Sequence, residues 1–326
     1  MNKDAIITVF DVGCRFGIHP SWASQKHQSF LRYFAFDPDV EEVRRLANKY
    51  RGFENYVAFA IGFSDKPEHR RLNVLAHKGQ SSFLQPNPAS TWFAEHRKAD
   101  ASITEQIDCE LIPMDRFCEE HDVWPDFIKT DTEGFDLNVL QGGARALAQA
   151  LAVRCEAYFE EHFVGGPEFD SIYRFLSNAG FSLANLDYSG KGVPQSYFCP
   201  NPGRFGIYTA GEALFIRKLA TLRDLPEPAL LKLVLFGFLN SLEDLSFKLL
   251  IQHRDHREHR ENRGVAKLNE SPMWTEIKRR YLLAAKSLRD MPGDGYARAA
   301  RDFETIFSEP FPSRHLFFES DFLNPP

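Results

Sequence analysis

Phe127-Ile128-Lys129-Thr130-Asp131-Thr132-Glu133-Gly134-Phe135-Asp136-Leu137-Asn138-Val139-Leu140-Gln141-Gly142-Gly143 is the stretch on which the fold reading turns. Its apolar start, Phe127-Ile128, is too short and too sharply bounded for a helix. It then gives way to a 3.6-residue pattern in which Phe135, Val139 and Leu140 share one face. A strand therefore passes into a helix here, and Asp131 and Glu133 stand at the strand tip. In open parallel sheets that edge is where ligands bind.

On either side of it, strands alternate with helical patterns up to about Lys218, as expected of an α/β sheet with helices on both faces. The expected strands are Ile6 to Asp11, Tyr33 to Asp37, Tyr56 to Ile61, Phe127 to Thr130, Val153 to Phe159, Phe181 to Leu186 and Ala213 to Arg217. Arg71 to Leu75 and Ile107 to Leu111 read as a short antiparallel excursion between the third and fourth. After Lys218 the pattern is helical. One broad apolar face runs from Leu231 through Val234, Leu235, Phe238, Leu242 and Leu245 to Leu249, interrupted by Gly237. A second helix starts at Ser271-Pro272 and buries Trp274, Ile277, Tyr281, Ala285 and Leu288, and a third spans Tyr296 to Phe307. The expected division is residues 1–218 as the binding domain and 219–326 as a helical extension for packing, oligomerisation or partner docking.

The first strand runs into Asp11-Val12-Gly13-Cys14-Arg15-Phe16-Gly17. Glycines at 13 and 17 allow a tight turn with bare backbone toward a ligand, and a following helix would present free N–H groups there. The G-x-x-x-G spacing is not the G-x-G-x-x-G of a dinucleotide site. Twenty residues after Gly17 comes Asp37, followed by Pro38, at the end of the second strand. An ionised acid there suits two ribose hydroxyls. Asp37 also reads as a helix N-cap. Glycine loop and acid in this order point to a nucleoside-binding domain.

A hydrophobic content of 43% over 326 residues supplies a core, and a formal charge of −6 with interspersed signs argues against nucleic-acid binding. Five widely spaced cysteines without a C-x-x-C pair indicate neither a disulfide framework nor structural zinc. No run is long and apolar enough for a membrane span. The run Ala5 to Phe10 is too short for a secretory signal and reads as a strand, so the expected location is cytoplasmic.

Together these pieces resemble the class I methyltransferases that use S-adenosylmethionine, and specifically the FkbM-like family. The resemblance rests on Asp11 to Gly17, on Phe36-Asp37-Pro38, on Gly79-Gln80-Ser81-Ser82, and on Ile128 to Gly134 continuing to Val139-Leu140-Gln141-Gly142, preceded by Leu111 to Phe117. It covers about the first two thirds of the chain. It implies a Rossmann-like, seven-stranded class I methyltransferase sheet, with the C-terminal helices appended. It also implies S-adenosylmethionine as cofactor, held by Asp11, Gly13, Cys14, Gly17, Asp37, Pro38, Ile61 and Asp131, and methylation of a hydroxyl on a sugar or secondary metabolite. The chain departs from the family in Cys14 and Arg15, where Asn and a small residue are usual, in Asp37 for Glu, and in a helical tail without counterpart.

Methyl transfer needs an acceptor oxygen held in line with the departing sulfur, and an alcohol benefits from a base. Asp131 is expected to orient the acceptor or stabilise the sulfonium. Glu133 points into the same crevice, Lys129 neutralises the pair, His162 is the candidate base, and Ser81 and Ser82 line the substrate mouth. Two close carboxylates also suit a divalent cation, a reading not favoured because no further acid is placed beside them. His253, His256 and His259 read as a solvated helix end, and Asn324-Pro325-Pro326 lacks the aromatic residue of the nucleobase amino-methylating motif. Two further readings are a catalytically degenerate docking module that acts through the tail and a nicotinamide-dependent oxidoreductase.

Overall fold

In the computed structural model of the protein, residues 6–23, 28–93, 98–187, 208–222, 225–259, 271–290 and 293–312 are described. Cys199, Asn324-Pro325-Pro326 and the side chains of His256 and His259 lie outside them. Two compact units result. One comprises Ile7–Ile18 and Arg32–Ala220; the other comprises Met1–Ile6, His19–Leu31 and Thr221–Pro326.

The first unit is built on a seven-stranded sheet. Its strands are β1 (Ile7–Val12), β2 (Leu31–Phe36), β3 (Tyr56–Phe59), β7 (Phe127–Thr130), β8 (Ala152–Tyr158), β9 (Phe181–Asp187) and β10 (Ala210–Arg217), in the order β3-β2-β1-β7-β8-β10-β9. β1 runs parallel to β7, β7 to β8 and β2 to β3, whereas β10 is antiparallel to both of its neighbours. All six residues of β1 are buried, as a central strand covered on both faces requires. Phe10, Phe36, Phe117, Phe135, Leu140, Val153 and Phe215 belong to one continuous core. The order reverses between β1 and β7, and the crevice beyond their carboxyl ends is the switch point of such sheets.

The antiparallel excursion is longer than expected. β5 (Glu68–Leu75) and β6 (Ile103–Ile112) pair with Leu72 opposite Ile107, and β4 (Gly62–Phe63) joins β6 in parallel. The expected third strand thus ends at Phe59, and its last part leaves for this second sheet. α1 (Val40–Lys49) follows β2, α2 (Met114–His121) precedes β7, and α3 (Asp136–Gln141) and α4 (Ala144–Gln149) link β7 to β8. α5 (Phe169–Asn178) leads into β9, and the short α6 (Leu219–Leu222) follows β10. Among the described residues no helix follows Gly17; residues 15–22 and 28–30 form turns instead. Pro20 disfavours a helical His19, and Trp22, buried with its ring 6.1 Å from that of Phe236, belongs to the other unit.

In the second unit the single apolar face expected from Leu231 to Leu249 is two helices, α7 (Glu227–Leu239) and α8 (Glu243–His259). The chain breaks at Ser241, whose φ is 57°. α7 is buried on all sides, with nine buried residues from Leu230 to Leu239. Gly237 is a contact rather than an interruption: a Cβ there would lie 2.3 Å from the Ser246 hydroxyl, which donates to the Val234 carbonyl at 2.9 Å. Ser271 caps α9 (Pro272–Ser287) by accepting from the Trp274 N–H at 3.2 Å. Leu288, expected in its buried face, is half-buried in the following turn. The Tyr281 hydroxyl ties α9 to α10 (Gly295–Phe307) through the Ala299 carbonyl.

Candidate active site

A cleft opens at the carboxyl ends of β1, β2 and β7. Its walls include Gly13, Phe16, Asp37, Pro38, Ile61, Phe63, Ser81, Ser82, Phe83, Asp131 and Glu133. That lining, apolar walls with a few convergent polar groups, is the kind that holds a small-molecule ligand.

At one end stands Asp37, 4% exposed. The helix after it is capped not by Asp37 but by Asp39, whose side chain accepts the Glu41 and Glu42 N–H groups. Asp37 is thereby left at the strand tip, with the Asp39 N–H donating to it at 2.9 Å. Burial pushes its carboxyl up to about 6, against the pull of the Arg15 guanidinium 3.6 Å away. Burial acts the same way on Asp39, but the hydrogen bond from Arg15 at 3.0 Å and the helix amides outweigh it and hold that carboxyl low. Arg15, a departure from the family pattern, therefore fastens the glycine loop to the start of α1.

The loop itself offers less bare backbone than its glycines suggest. The N–H groups of Gly13 and Cys14 donate to the Phe36 carbonyl, and that of Gly17 donates to the Cys14 carbonyl. Gly13 is required by close approach: its φ is 78°, and a Cβ would fall 1.9 Å from the Asp131 carbonyl oxygen. Gly17, Cys14 and Asp11 do not line the cleft. The Cys14 thiol is buried and held well above its ordinary range by desolvation and by Asp11 and Asp37, so it is a core thiol.

Beneath the cleft, Asp11 accepts from the Tyr33 hydroxyl at 2.5 Å and from Lys129 at 3.0 Å, and Lys129 also meets Asp131 at 3.2 Å. Burial alone would depress the Lys129 ammonium; the Asp11 and Asp131 carboxylates outweigh it and keep the lysine charged. Lys129 thus neutralises Asp11 and Asp131, not the Asp131 and Glu133 pair expected.

Glu133 is held at every polar group. Its backbone is left-handed, with φ of 52°. Its N–H donates to Glu156 at 3.1 Å, its carbonyl accepts from Ser82 at 2.6 Å, and its carboxylate accepts from the Tyr158 hydroxyl at 2.7 Å. That hydroxyl also lies 2.8 Å from Glu156. Ser82 serves as a clamp, and Ser81, which donates to the Lys78 carbonyl, holds its own turn. Both serines border the cleft, but these hydroxyl protons are committed to the protein.

His162 is not brought to the cleft. Its ring is 2% exposed, stacks on Trp92 at 5.6 Å and lies 4.3 Å from Tyr158. Burial lowers it to about 4, although Glu160 works in the opposite direction. It is neutral at pH 7 and buried away from any acceptor in the cleft.

Glu156 and Tyr158 are not singled out by sequence patterns. The one signal for Glu156 is an acid inside a strand that is otherwise buried, since Glu is almost never buried without a partner. Asp131, Glu133 and Glu156 each bring one oxygen within 4.8 Å of one another, so a third acid does stand beside the two anticipated.

The strand order, with one antiparallel strand inserted near the edge of an otherwise parallel run, is that of the class I methyltransferases. The methyltransferase FkbM domain matches residues 11–183, more than half of the chain, and the protein belongs to that family of S-adenosylmethionine-dependent methyltransferases. No curated protein matches the chain. Solved structures similar to it include a SAM-dependent methyltransferase from Aquifex aeolicus, 13% identical, covering 65% of this chain and 82% of that one with a TM-score of 0.30. The N-methyltransferase NodS from Bradyrhizobium japonicum WM9 is 9% identical, with 65% and 86% covered and a TM-score of 0.32. Precorrin-6y C5,15-methyltransferase from Geobacter metallireducens GS-15 is 11% identical, with 65% and 80% covered and a TM-score of 0.29. Scores this low carry no weight for function; the fold rests on the strand order and the family on the matched domain.

The donor set fits the family's cofactor. Asp37 is a buried acceptor at the β2 tip with open cleft before it, suited to a ribose diol. Ile61, Phe63 and Phe83 offer an apolar wall for a base, and Asp131 and Glu133 offer negative charge for the cationic end.

Proposed function

We propose that the protein is an S-adenosylmethionine-dependent O-methyltransferase acting on a hydroxyl of a sugar or secondary metabolite. The observation that carries this reading is that Asp37 and Glu133 line one cleft, an acceptor for ribose at one end and a fixed carboxylate at the other. The cofactor supplies an electrophilic methyl on a sulfonium. Asp37 takes the ribose hydroxyls, while Asp131, anchored by Lys129, places negative charge beside the methionine end. Glu133 receives the proton of the acceptor hydroxyl as the new bond forms, in place of His162. No helix among the described residues is long and apolar enough to cross a membrane. A small diffusible acceptor and a cytoplasmic location are part of the proposal, and the helical unit is assigned to packing or assembly.

Calorimetric titration with S-adenosylhomocysteine, followed by a panel of sugar and polyketide alcohols, tests the reading. Micromolar binding with methyl transfer to an alcohol supports it. Binding without turnover on any alcohol would favour the docking module, and binding of nicotinamide cofactors alone would move the chain to the oxidoreductases.

A further inference from the structure

Aromatic rings form a row at the carboxyl end of β8. Their centroids are 6.5 Å apart between Tyr208 and Phe159, 5.8 Å between Phe159 and Phe169, and 6.1 Å between Phe169 and Tyr173. A row belonging to the core would be covered, but Tyr208 and Tyr173 are 49% and 44% exposed and the two phenylalanines are half-buried. Phe159, Phe169 and Tyr173, together with Tyr158, Glu168 and Asp170, line an open groove at the start of α5. None of them borders the cofactor cleft.

The row is held in place from below. The Phe159 N–H donates to the Thr209 carbonyl at 2.9 Å. Phe169 and Tyr173 stand four residues apart on one face of α5, each with its ring 6.3 Å from that of the buried Phe215. Tyr158 joins the groove to the cleft: it borders the groove, and its hydroxyl lies 2.7 Å from the carboxylate of Glu133, which lines the cleft. β7 and β8 are parallel neighbours, so Glu133 just after β7 and Phe159 just after β8 stand on one edge of the sheet.

The groove's chemistry selects a ligand. An aromatic face is negative, and the C–H groups of a sugar ring, each beside an oxygen, are positively polarised, those of plain hydrocarbon much less so. The Tyr173 hydroxyl and the Glu168 carboxylate make no hydrogen bond among the described residues, and they stand beside the rings, where sugar hydroxyls would meet them. Asp170, paired with Arg174 at 3.3 Å, adds a second acid to the same rim. Such a rim repels phosphate, sulfate and carboxylate groups.

We propose that this groove is the acceptor subsite and that it takes an uncharged saccharide, stacked on Phe159, Phe169 and Tyr173, with the hydroxyl to be methylated directed toward Glu133. The inference rests on the methyltransferase reading above and narrows its acceptor from sugars and secondary metabolites to neutral sugars.

The test uses the full chain saturated with S-adenosylhomocysteine, on a microarray of neutral, sialylated, sulfated and phosphorylated saccharides, with a macrolide alcohol titrated beside it by calorimetry. The native chain is expected to retain neutral saccharides over charged ones and to bind the macrolide more weakly than the best of them. That saccharide is then titrated against two variants. Tyr173→Ala, which removes one aromatic face, is expected to weaken it about tenfold. Glu168→Gln is expected to weaken it by less, and both variants to keep the native affinity for S-adenosylhomocysteine. Tyr173 is exposed and Glu168→Gln keeps the side-chain shape, so the second carries the test should the first fail to fold. Retention of no saccharide, a preference for charged ones, tighter binding of the macrolide, or unchanged saccharide affinity in a folded variant would each overturn the groove as a neutral-sugar subsite. A native chain that does not bind S-adenosylhomocysteine would overturn the methyltransferase reading itself, and the subsite with it.

Discussion

Asp37→Asn should move stability and cofactor affinity in opposite directions. The Asp37 carboxyl is raised from 3.8 to about 6, chiefly by burial. At 1.36 kcal/mol per pKa unit, holding it ionised in the native state costs about 3 kcal/mol at pH 7. An amide keeps the acceptor for the Asp39 N–H and carries no charge to desolvate, so the ligand-free variant should gain up to that amount. The sign follows from linkage: relative to the unfolded chain, the native state binds this proton more tightly. The native chain's stability from this group is therefore intact below 3.8 and lost as pH rises through about 6. The advantage of the amide variant over the native chain should be absent below pH 3.8, grow to about pH 6 and stay level above it. Urea unfolding of both proteins at about pH 4.5, 5.5 and 7 reads this directly. Affinity goes the other way: losing charge-assisted hydrogen bonds to ribose, each worth about 1.5–3 kcal/mol, should weaken S-adenosylhomocysteine binding at least about tenfold. A variant less stable than the native chain at pH 7, or one that binds the ligand equally well, would refute the assignment of Asp37 as a desolvated acceptor kept for the cofactor.

Gly13→Ala places a methyl where the Asp131 carbonyl already stands and should lower thermal stability by several degrees and abolish S-adenosylhomocysteine binding, both checked by a melting curve with and without ligand. Lys129→Met removes the ammonium that balances the fully buried Asp11, and the bond from Tyr33 brings no positive charge in its place. It should cost about 3–5 kcal/mol in urea unfolding; a loss under about 1 kcal/mol would contradict a buried ion pair. His162→Phe keeps an aromatic ring beside Trp92 and Tyr158 but cannot titrate. Because the native histidine is depressed from 6.5 to about 4, the stability tied to its neutral form is present above pH 6.5 and lost as pH falls through about 4. The variant should lack about 3 kcal/mol of that acid sensitivity, measured by unfolding at pH 7 and pH 4.

The parallel core could be read from sequence because each strand is a short, nearly continuous apolar run with a turn at its end, and burial on both faces leaves little choice of residue. Asp37, Asp131 and Glu133 were legible for a related reason, as acids placed where such runs stop. Other features were not. The glycine loop suggested a helix after Gly17, but Trp22 finds its partner Phe236 more than two hundred positions away, and no local pattern reports such a contact. Glu156 lies within a strand, where its spacing is that of any neighbour, and its meaning comes from tertiary partners such as Tyr158 and the Glu133 amide. His162 looked like a base from its intrinsic proton affinity, yet its burial against Trp92 removes that property. The break at Ser241 was hidden because apolar residues on both sides kept a helical period through it.

The helical unit draws on residues 19–31 as well as on the chain beyond Thr221. During synthesis the segment bearing Trp22 emerges from the ribosome more than two hundred residues before Phe236 and the helices through Phe307. A large indole side chain must then wait, exposed, while almost the entire sheet is translated. Shielding of that segment by a chaperone, or slow translation that lets the sheet form first, would matter more for the yield of this protein than for one whose appended helices are contiguous in sequence. A chain cut after Lys218 would carry the same exposed tryptophan permanently.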